Sequence, residues 1–224
     1  MKSNNFNIAG WLWSVSTIIV VIAIMLYVFA YRGSMDAGAD KTAHLMAIWP
    51  LASGMWRLEF IGVCGMAIAG GYFALVEKSL GWLTVFIGQL ITIIMYAIML
   101  GGYPIAGEVY EETPAIMEAL NNIAIQLFTY GNLLLLAGLA GIFFSSKILP
   151  KWLSLASGTL AILMVCNFAG IFFGWVTFGD ILILEMMAPF FFLFTAFYGL
   201  LKIGIFRFSM NNKLGMAESN STLH

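Results

Sequence analysis

Residues 52–76 read ASGMWRLEFIGVCGMAIAGGYFALV, and this stretch decides which kind of fold the chain can adopt. Its only charged residues, Arg57 and Glu59, lie near its start, and no charge follows from Phe60 to Val76. About 20 apolar residues suffice for a helix to cross the hydrocarbon of a bilayer, whereas a lone strand would leave its backbone groups unpaired there. The stretch therefore predicts a transmembrane helix with two opposite charges near its beginning.

The rest of the chain repeats this apolar pattern. Hydrophobic residues make up 62% of the 224 residues and charged residues 9%, against roughly 25% charged residues in soluble domains. The first apolar run is longer than the apolar region of a signal peptide, which has about 7 to 15 residues, so we expect it to be retained as a helix. We expect an all-α fold, a polytopic membrane bundle of six transmembrane helices at Ile8–Tyr31, Ala52–Val76, Leu80–Leu100, Ala119–Phe144, Trp152–Trp175 and Ile181–Phe206.

The distribution of basic residues predicts that both termini are cytoplasmic. With that orientation the outer side holds only Arg32, Lys41 and Arg57, whereas most acidic residues lie on it. An excess of Lys and Arg marks the cytoplasmic side of membrane proteins. The seven basic residues that this orientation places on the cytoplasmic side are Lys2, Lys78, Lys147, Lys151, Lys202, Arg207 and Lys213.

Two longer loops, at about 32–51 and 101–118, separate the predicted helices, which form one domain over residues 1–208. In the first loop we expect a short helix from the Asp40 cap to Trp49, before Pro50. Three short turns predict antiparallel pairs of helices two and three, four and five, and five and six. We expect Gly101–Pro104 to end helix three and Thr113-Pro114 to start helix four. We also expect close helix contacts at three pairs of small residues, Ala67/Gly71, Ala137/Gly141 and Gly170/Gly174. Residues 209–224 are expected to form a disordered cytoplasmic tail.

Ionisable residues within spanning helices are the candidates for a site, because each costs about 2.5 to 3.5 kcal/mol at the centre of a helix. Arg57 and Glu59 are two residues apart, about 200° around a helix, so at least one needs a partner elsewhere. Glu185, one turn into the sixth helix, is the expected partner of Arg57. The pair would tie the second helix to the last, or the three residues would line an outer polar pocket that Asn122 and Gln126, at i and i+4, continue inward.

Several kinds of chemistry find no support in the sequence. His44 and His224 are the only histidines, so we expect no haem or multi-histidine metal site, and we expect no cofactor. Cys64 and Cys166 lie in apolar runs and are expected to be structural. A net charge of −1 gives no basis for binding nucleic acid. The nucleophile elbow, the Walker-type loop and the dinucleotide fingerprint are all missing, which argues against an enzyme.

Four short motifs resemble a broad bacterial family of six-helix membrane proteins of unknown function. They are Ala9-Gly10, Trp56-Arg57-Leu58, the run Leu149-Pro150-Lys151-Trp152-Leu153, and Glu185 at the start of the last helix. The resemblance implies a six-helix fold in the bacterial plasma membrane and directs attention to Arg57 and Glu185. It implies no activity.

These observations favour a non-catalytic membrane protein that binds a lipid, a small molecule or a partner membrane subunit near the outer leaflet. Membrane lipids are the expected partners, and a homo-oligomer or a larger membrane complex stays open. One alternative is a small transporter or channel that uses the outer pocket around Arg57, Glu59 and Glu185. A second is a lipid-modifying enzyme with Glu59 or Glu185 as general acid or base.

Overall fold

The computed structural model describes residues 4–33, 41–175 and 182–205, without the side chains of residues 31–33, 41 and 182–187. These ranges form seven α-helices: α1 (Asn4–Gly33), α2 (Lys41–Ala47), α3 (Trp49–Glu77), α4 (Leu80–Glu108), α5 (Pro114–Phe144), α6 (Lys151–Phe172) and α7 (Leu182–Ile203). Five of them, namely α1, α3, α4, α5 and α6, are long and apolar enough to cross a membrane, and α7 is apolar over Ala188–Ile203. The predicted all-α fold class is confirmed, with five helices that could span a membrane, whereas the sixth span and the cytoplasmic position of both termini stay predictions. The predicted tail, 209–224, lies outside the described residues.

Two predicted helix boundaries that lie next to a proline are wrong. α4 continues through Pro104 to Glu108, because the buried side chains of Tyr103 and Ala106 hold its last turns against the bundle. In the first loop, α2 ends at Ala47 and Trp49 already belongs to α3. Pro50 stands in the first turn of α3, where the missing N–H breaks no hydrogen bond. The predicted start of a helix at Thr113-Pro114 is confirmed.

The long helices run up and down, each antiparallel to its neighbour in the chain. α1 also lies antiparallel to α7, since Gly10 lies against Gly199 and Ile203, whereas Ser14, one turn later in α1, donates from Oγ to Ala196 O over 2.7 Å. Asn4 and Ile203 therefore lie at the same end of the bundle. We call this end the terminal end. The opposite end, which carries α2, is called the loop end.

The expected packing of the last two helices on each other is wrong. Within the described ranges α7 packs mainly on α1, and α6 packs mainly on α5. The helices of the bundle are therefore ordered α6, α5, α4, α3, α1, α7. A crevice of about 350 Å³ lies between α6 and α7 and is lined by Leu153, Ala156, Ser157, Leu160, Phe190, Phe191 and Phe194.

Glycines bring α4 and α5 into close contact. A Cβ on Gly88 would lie 2.6 Å from Gly131 O, and one on Gly138 would lie 2.5 Å from Gly81 O. Both distances are too short for a real Cβ atom, so any side chain at Gly88 or Gly138 would collide with the facing helix. The two backbones approach this closely only because glycine occupies these positions. Of the small residues expected to make close helix contacts, Gly71 does lie against the Phe86 ring of α4. Ala137 and Gly141 are exposed instead. Gly174 lies beyond the end of α6, with φ of +71°.

Candidate functional site

Glu59 is the one acidic side chain that is buried in the described part of the chain, with 8% of its surface exposed. It lies ten residues after Trp49, where α3 begins. At 1.5 Å per residue, this places it about 15 Å from the loop end of the helix. The sequence predicted a shallower position, because it started the helix at Ala52.

The Glu59 carboxyl faces α4 and accepts a hydrogen bond from the Tyr96 hydroxyl. The turn between α3 and α4 sets this register. Lys78 adopts the left-handed conformation with φ of 50°, and the Ser79 hydroxyl caps α4 by accepting from the Trp82 N–H. Because Glu59 stands 19 residues before Lys78 and Tyr96 stands 18 residues after it, the two come level in the hairpin.

Four aromatic rings pack on one another between this pair and the loop end: Tyr27 from α1, Trp49 and Trp56 from α3, and Tyr103 from α4. The Trp56 ring centroid lies 5.5 Å from Tyr27, 5.5 Å from Trp49 and 5.6 Å from Tyr103. Trp56 precedes Glu59 by three residues and Tyr103 follows Tyr96 by seven, so each shares a helix face with one member of the polar pair. We call the six residues Tyr27, Trp49, Trp56, Glu59, Tyr96 and Tyr103 the Glu59 cluster.

The cluster contains a carboxyl group but no basic partner for it among the described side chains. The one ion pair that the described ranges hold joins Lys202 to Glu77, at the terminal end. Burying a carboxylate without a cation costs several kcal/mol, and a single hydrogen bond from Tyr96 offsets only part of that cost. Protonation of Glu59 or a bound positive charge would remove the rest.

The other residues predicted for the site do not join the cluster. Arg57 is exposed and lies about 200° around α3 from Glu59, so it does not line the cluster. Glu185 lies in α7, but its side chain is outside the described residues, so the proposed pair with Arg57 stays a prediction. Asn122 and Gln126 are exposed on α5. Their neighbour Asn121 is the residue connected to the cluster, because its Oδ1 accepts a hydrogen bond from the Tyr103 hydroxyl over 2.6 Å.

A second charged site, at the terminal end, was not predicted from the sequence. Lys202 of α7 is 8% exposed, and its Nζ lies 2.6 Å from Glu77 Oε1 of α3. Four ring centroids surround the same nitrogen within 6 Å, namely those of Phe73 at 5.0 Å, Trp82 at 5.3 Å, Phe6 at 5.9 Å and Tyr198 at 5.9 Å. We call this group the Lys202 box. It ties the second and last long helices of the sequence prediction together, but at the end opposite to Arg57.

Comparison of the chain with protein-family models, curated proteins and solved structures gave no match. The resemblance of its short motifs to the bacterial six-helix family therefore stays a prediction. The Glu59 cluster and the Lys202 box are the two groups of residues from which a function can be inferred.

Proposed function

We propose that this chain is an integral protein of the bacterial plasma membrane that acts by binding, without catalytic chemistry of its own. Its ligand is a lipid, a small molecule or a segment of a partner subunit, held near the outer leaflet at the Glu59 cluster. The observation that carries the proposal is a buried carboxyl group with one hydrogen-bond donor and no basic partner among the described residues. Such groups within membrane-spanning helices are retained at a cost, which makes each of them a candidate for a functional site.

The proposed topology has six spans, of which α7 is the last, with both termini in the cytoplasm. Four basic residues support it, because Lys78, Lys147, Lys151 and Lys202 all lie on the terminal end of the bundle. This end would face the cytoplasm by the positive-inside rule. The antiparallel packing of α7 on α1 also supports an even number of crossings. Membership of the six-helix bacterial family fits this topology.

The packing of the core favours binding over transport. Thr92 and Gln89 continue the buried polar face of α4 from Tyr96 toward the terminal end. Below them the rings of Trp13 and Trp82 meet edge to face at 5.0 Å, with 0% and 1% of their surfaces exposed. A transported ion would need both rings to move, whereas a bound ligand near Glu59 would need neither.

The proposal also includes an association through α5, with a second copy or another membrane subunit. Asn122 and Gln126 are exposed on this helix and have no hydrogen-bond partner among the described residues. An amide that faces hydrocarbon gains from a partner on another helix by roughly 0.6 to 2 kcal/mol.

Native mass spectrometry of the protein released from its own membrane tests the binding proposal. We expect the wild-type chain to carry a bound molecule, and the Glu59→Gln variant to lose it, because glutamine keeps the side-chain size but removes the negative charge. Glu108→Gln is the matched control, since Glu108 is exposed at the end of α4. This substitution changes the net charge of the protein by the same amount as Glu59→Gln. A molecule that survives Glu59→Gln, or that is never present, would contradict the proposal.

A further inference from the structure

We propose that the crevice between α6 and α7 holds one acyl chain of an anionic phospholipid, whose headgroup lies at the terminal end, at the level of Lys147. The crevice is separate from the Glu59 cluster, which is built from α1, α3 and α4, so this site goes beyond the proposed function. The enclosure of the crevice, the polarity of its walls and the charge at its end favour this ligand.

The crevice is closed on the side of α5 and open toward the lipid. The Phe143 ring centroid of α5 lies 6.0 Å from that of Phe191 and 5.4 Å from that of Phe194, and Ser154 Oγ of α6 donates to Phe143 O. Both walls therefore meet α5, but they leave about 350 Å³ between themselves, within the range of ligand pockets. Ala156 of α6 and Phe190 of α7 line the crevice and are exposed, so a ligand can enter between them.

The walls of the crevice offer little to a polar ligand. Among the described lining residues Ser157 is the only polar one, and its hydroxyl already donates to Leu153 O over 2.7 Å. The lining residues of α6, from Leu153 to Leu160, lie about 3 to 14 Å from its start at Lys151. In a membrane-spanning chain this depth corresponds to the hydrocarbon of one leaflet. A gap there leaves its walls without van der Waals partners, and a hydrocarbon chain supplies them.

The terminal end of the crevice carries a positive charge at the depth of the headgroups. The Tyr198 hydroxyl of α7 lies 3.5 Å from Ser146 Oγ, so the turn between α5 and α6 reaches α7. Lys147 is the next residue of this turn and is exposed. Trp152 is 69% exposed and stands one turn before Ala156 on the same stripe of α6. Tryptophan is enriched at the headgroup level, and lysine at that level attracts anionic lipids.

Two other occupants suit the crevice less well than a lipid. The C-terminal segment of this chain, residues 209–224, is rich in Asn and Ser, and burial of such groups against apolar walls costs free energy. A helix of another subunit is about 10 to 12 Å across with its side chains. A gap of about 350 Å³ along this part of α6 admits only side chains of such a helix. An acyl chain is apolar and thin enough to enter.

Native mass spectrometry of the full-length protein in detergent tests the class of ligand. We would titrate phosphatidylglycerol, phosphatidylcholine with the same acyl chains, and glycerophosphoglycerol, which is the first headgroup without chains. We expect the first phosphatidylglycerol to bind about fivefold more tightly than phosphatidylcholine, because of the lysine at the headgroup level. Glycerophosphoglycerol should not bind measurably, because it has no chain to fill the crevice.

Substitutions then locate the site. Ala156→Phe places a ring in the crevice and should weaken binding of phosphatidylglycerol by about tenfold. Ala137→Phe is the matched control, because Ala137 is an exposed alanine of α5 at a similar depth that does not line the crevice. Lys147→Gln should remove the preference for phosphatidylglycerol over phosphatidylcholine, whereas Lys78→Gln, at another exposed lysine of the terminal end, should keep it. In detergent without phospholipid, Lys147→Gln should unfold as the wild type does.

The wild-type titrations decide the ligand even if a variant fails to fold. Equal binding of the two phospholipids, or binding of glycerophosphoglycerol as tight as that of phosphatidylglycerol, overturns the assignment. Equal binding of phosphatidylglycerol by Ala156→Phe and Ala137→Phe would place the lipid elsewhere, and the crevice would not be its site. A second polypeptide that is bound by the wild type and lost from Ala156→Phe would make the crevice a protein interface, and the lipid proposal would be wrong.

Discussion

At the scale of single residues, Lys202 is a buried charge that should contribute to the stability of the fold. The residue is 8% exposed, and its ammonium lies in contact with Glu77 and within 6 Å of four ring centroids. Loss of one partner of a buried ion pair leaves the other uncompensated, and the partial exposure of Glu77 reduces that penalty. We expect Lys202→Met to lower the free energy of unfolding by about 2 kcal/mol. Denaturation in mixed micelles measures this, with Lys147→Met, an exposed lysine at the same end, as the control.

The aromatic contacts of Lys202 make a separate prediction. Glu77→Gln leaves the more deeply buried ammonium without its anion but keeps its ring contacts. If those contacts contribute beyond the ion pair, we expect Glu77→Gln to cost no more than Lys202→Met, even though the charge it leaves is the more deeply buried one. A double-mutant cycle separates the two contributions. Equal losses for the two single variants, with no further loss in the double variant, would show that the ion pair alone holds α7 to α3.

The sequence allowed Glu59 to be predicted as a site residue but gave no sign of Lys202. A charge within an apolar run is conspicuous, and Glu59 is such a charge. Lys202 lies near the end of its run, where a lysine ordinarily extends to the membrane surface. Its burial depends on Phe6, Phe73 and Trp82, which come from three other helices. No spacing within one segment reveals such a group.

At the scale of the helices, the α4 and α5 pair is held by contacts that tolerate no side chain. A Cβ at Gly138 would lie 2.5 Å from Gly81 O, whereas a Cβ at Gly141 meets nothing within 4 Å. We expect Gly138→Ala to destabilise the protein by about 1 to 3 kcal/mol, as for other overpacked cores. Gly141→Ala, on the same helix, should be neutral or slightly stabilising because alanine favours helix. Equal unfolding midpoints of the two variants would contradict the close approach.

The observed helix boundaries match the predicted ones where the apolar run and the capping residues indicate the same end. They differ from the predicted boundaries at prolines. Thr113-Pro114 starts α5 as expected. The sequence predicts that the helix ends at Gly101–Pro104, although α4 continues past Pro104 to Glu108. Whether a proline ends a helix depends on what the following turn buries, and here Tyr103 and Ala106 are both inside the bundle. That information comes from tertiary packing, not from local sequence.

At the scale of the whole molecule, the order of helices around the bundle was only partly predictable. Short turns correctly paired α3 with α4 and α5 with α6, but they also implied close packing of α6 on α7, which the described residues do not show. α7 packs on α1 instead, where Trp13 and Ser14 donate hydrogen bonds to its backbone. This contact between the first and last helices joins residues that are 182 positions apart in the sequence. It leaves α5 with a free outer face, which carries Asn122 and Gln126.

The exposed amides of α5 set the last expectation, which concerns association. Gln126 lies 12 residues after Pro114, where α5 begins, about 18 Å along a helix that is longer than the hydrocarbon is thick. Its amide therefore faces lipid unless another helix covers it. We expect self-association in lipid, measured by single-molecule photobleaching, to weaken by about fivefold or more in the double variant Asn122→Leu, Gln126→Leu. Ile123→Leu on the same helix is the control. An unchanged monomer fraction would mean that these amides meet a different subunit or lipid headgroups, and association of copies through α5 would be wrong.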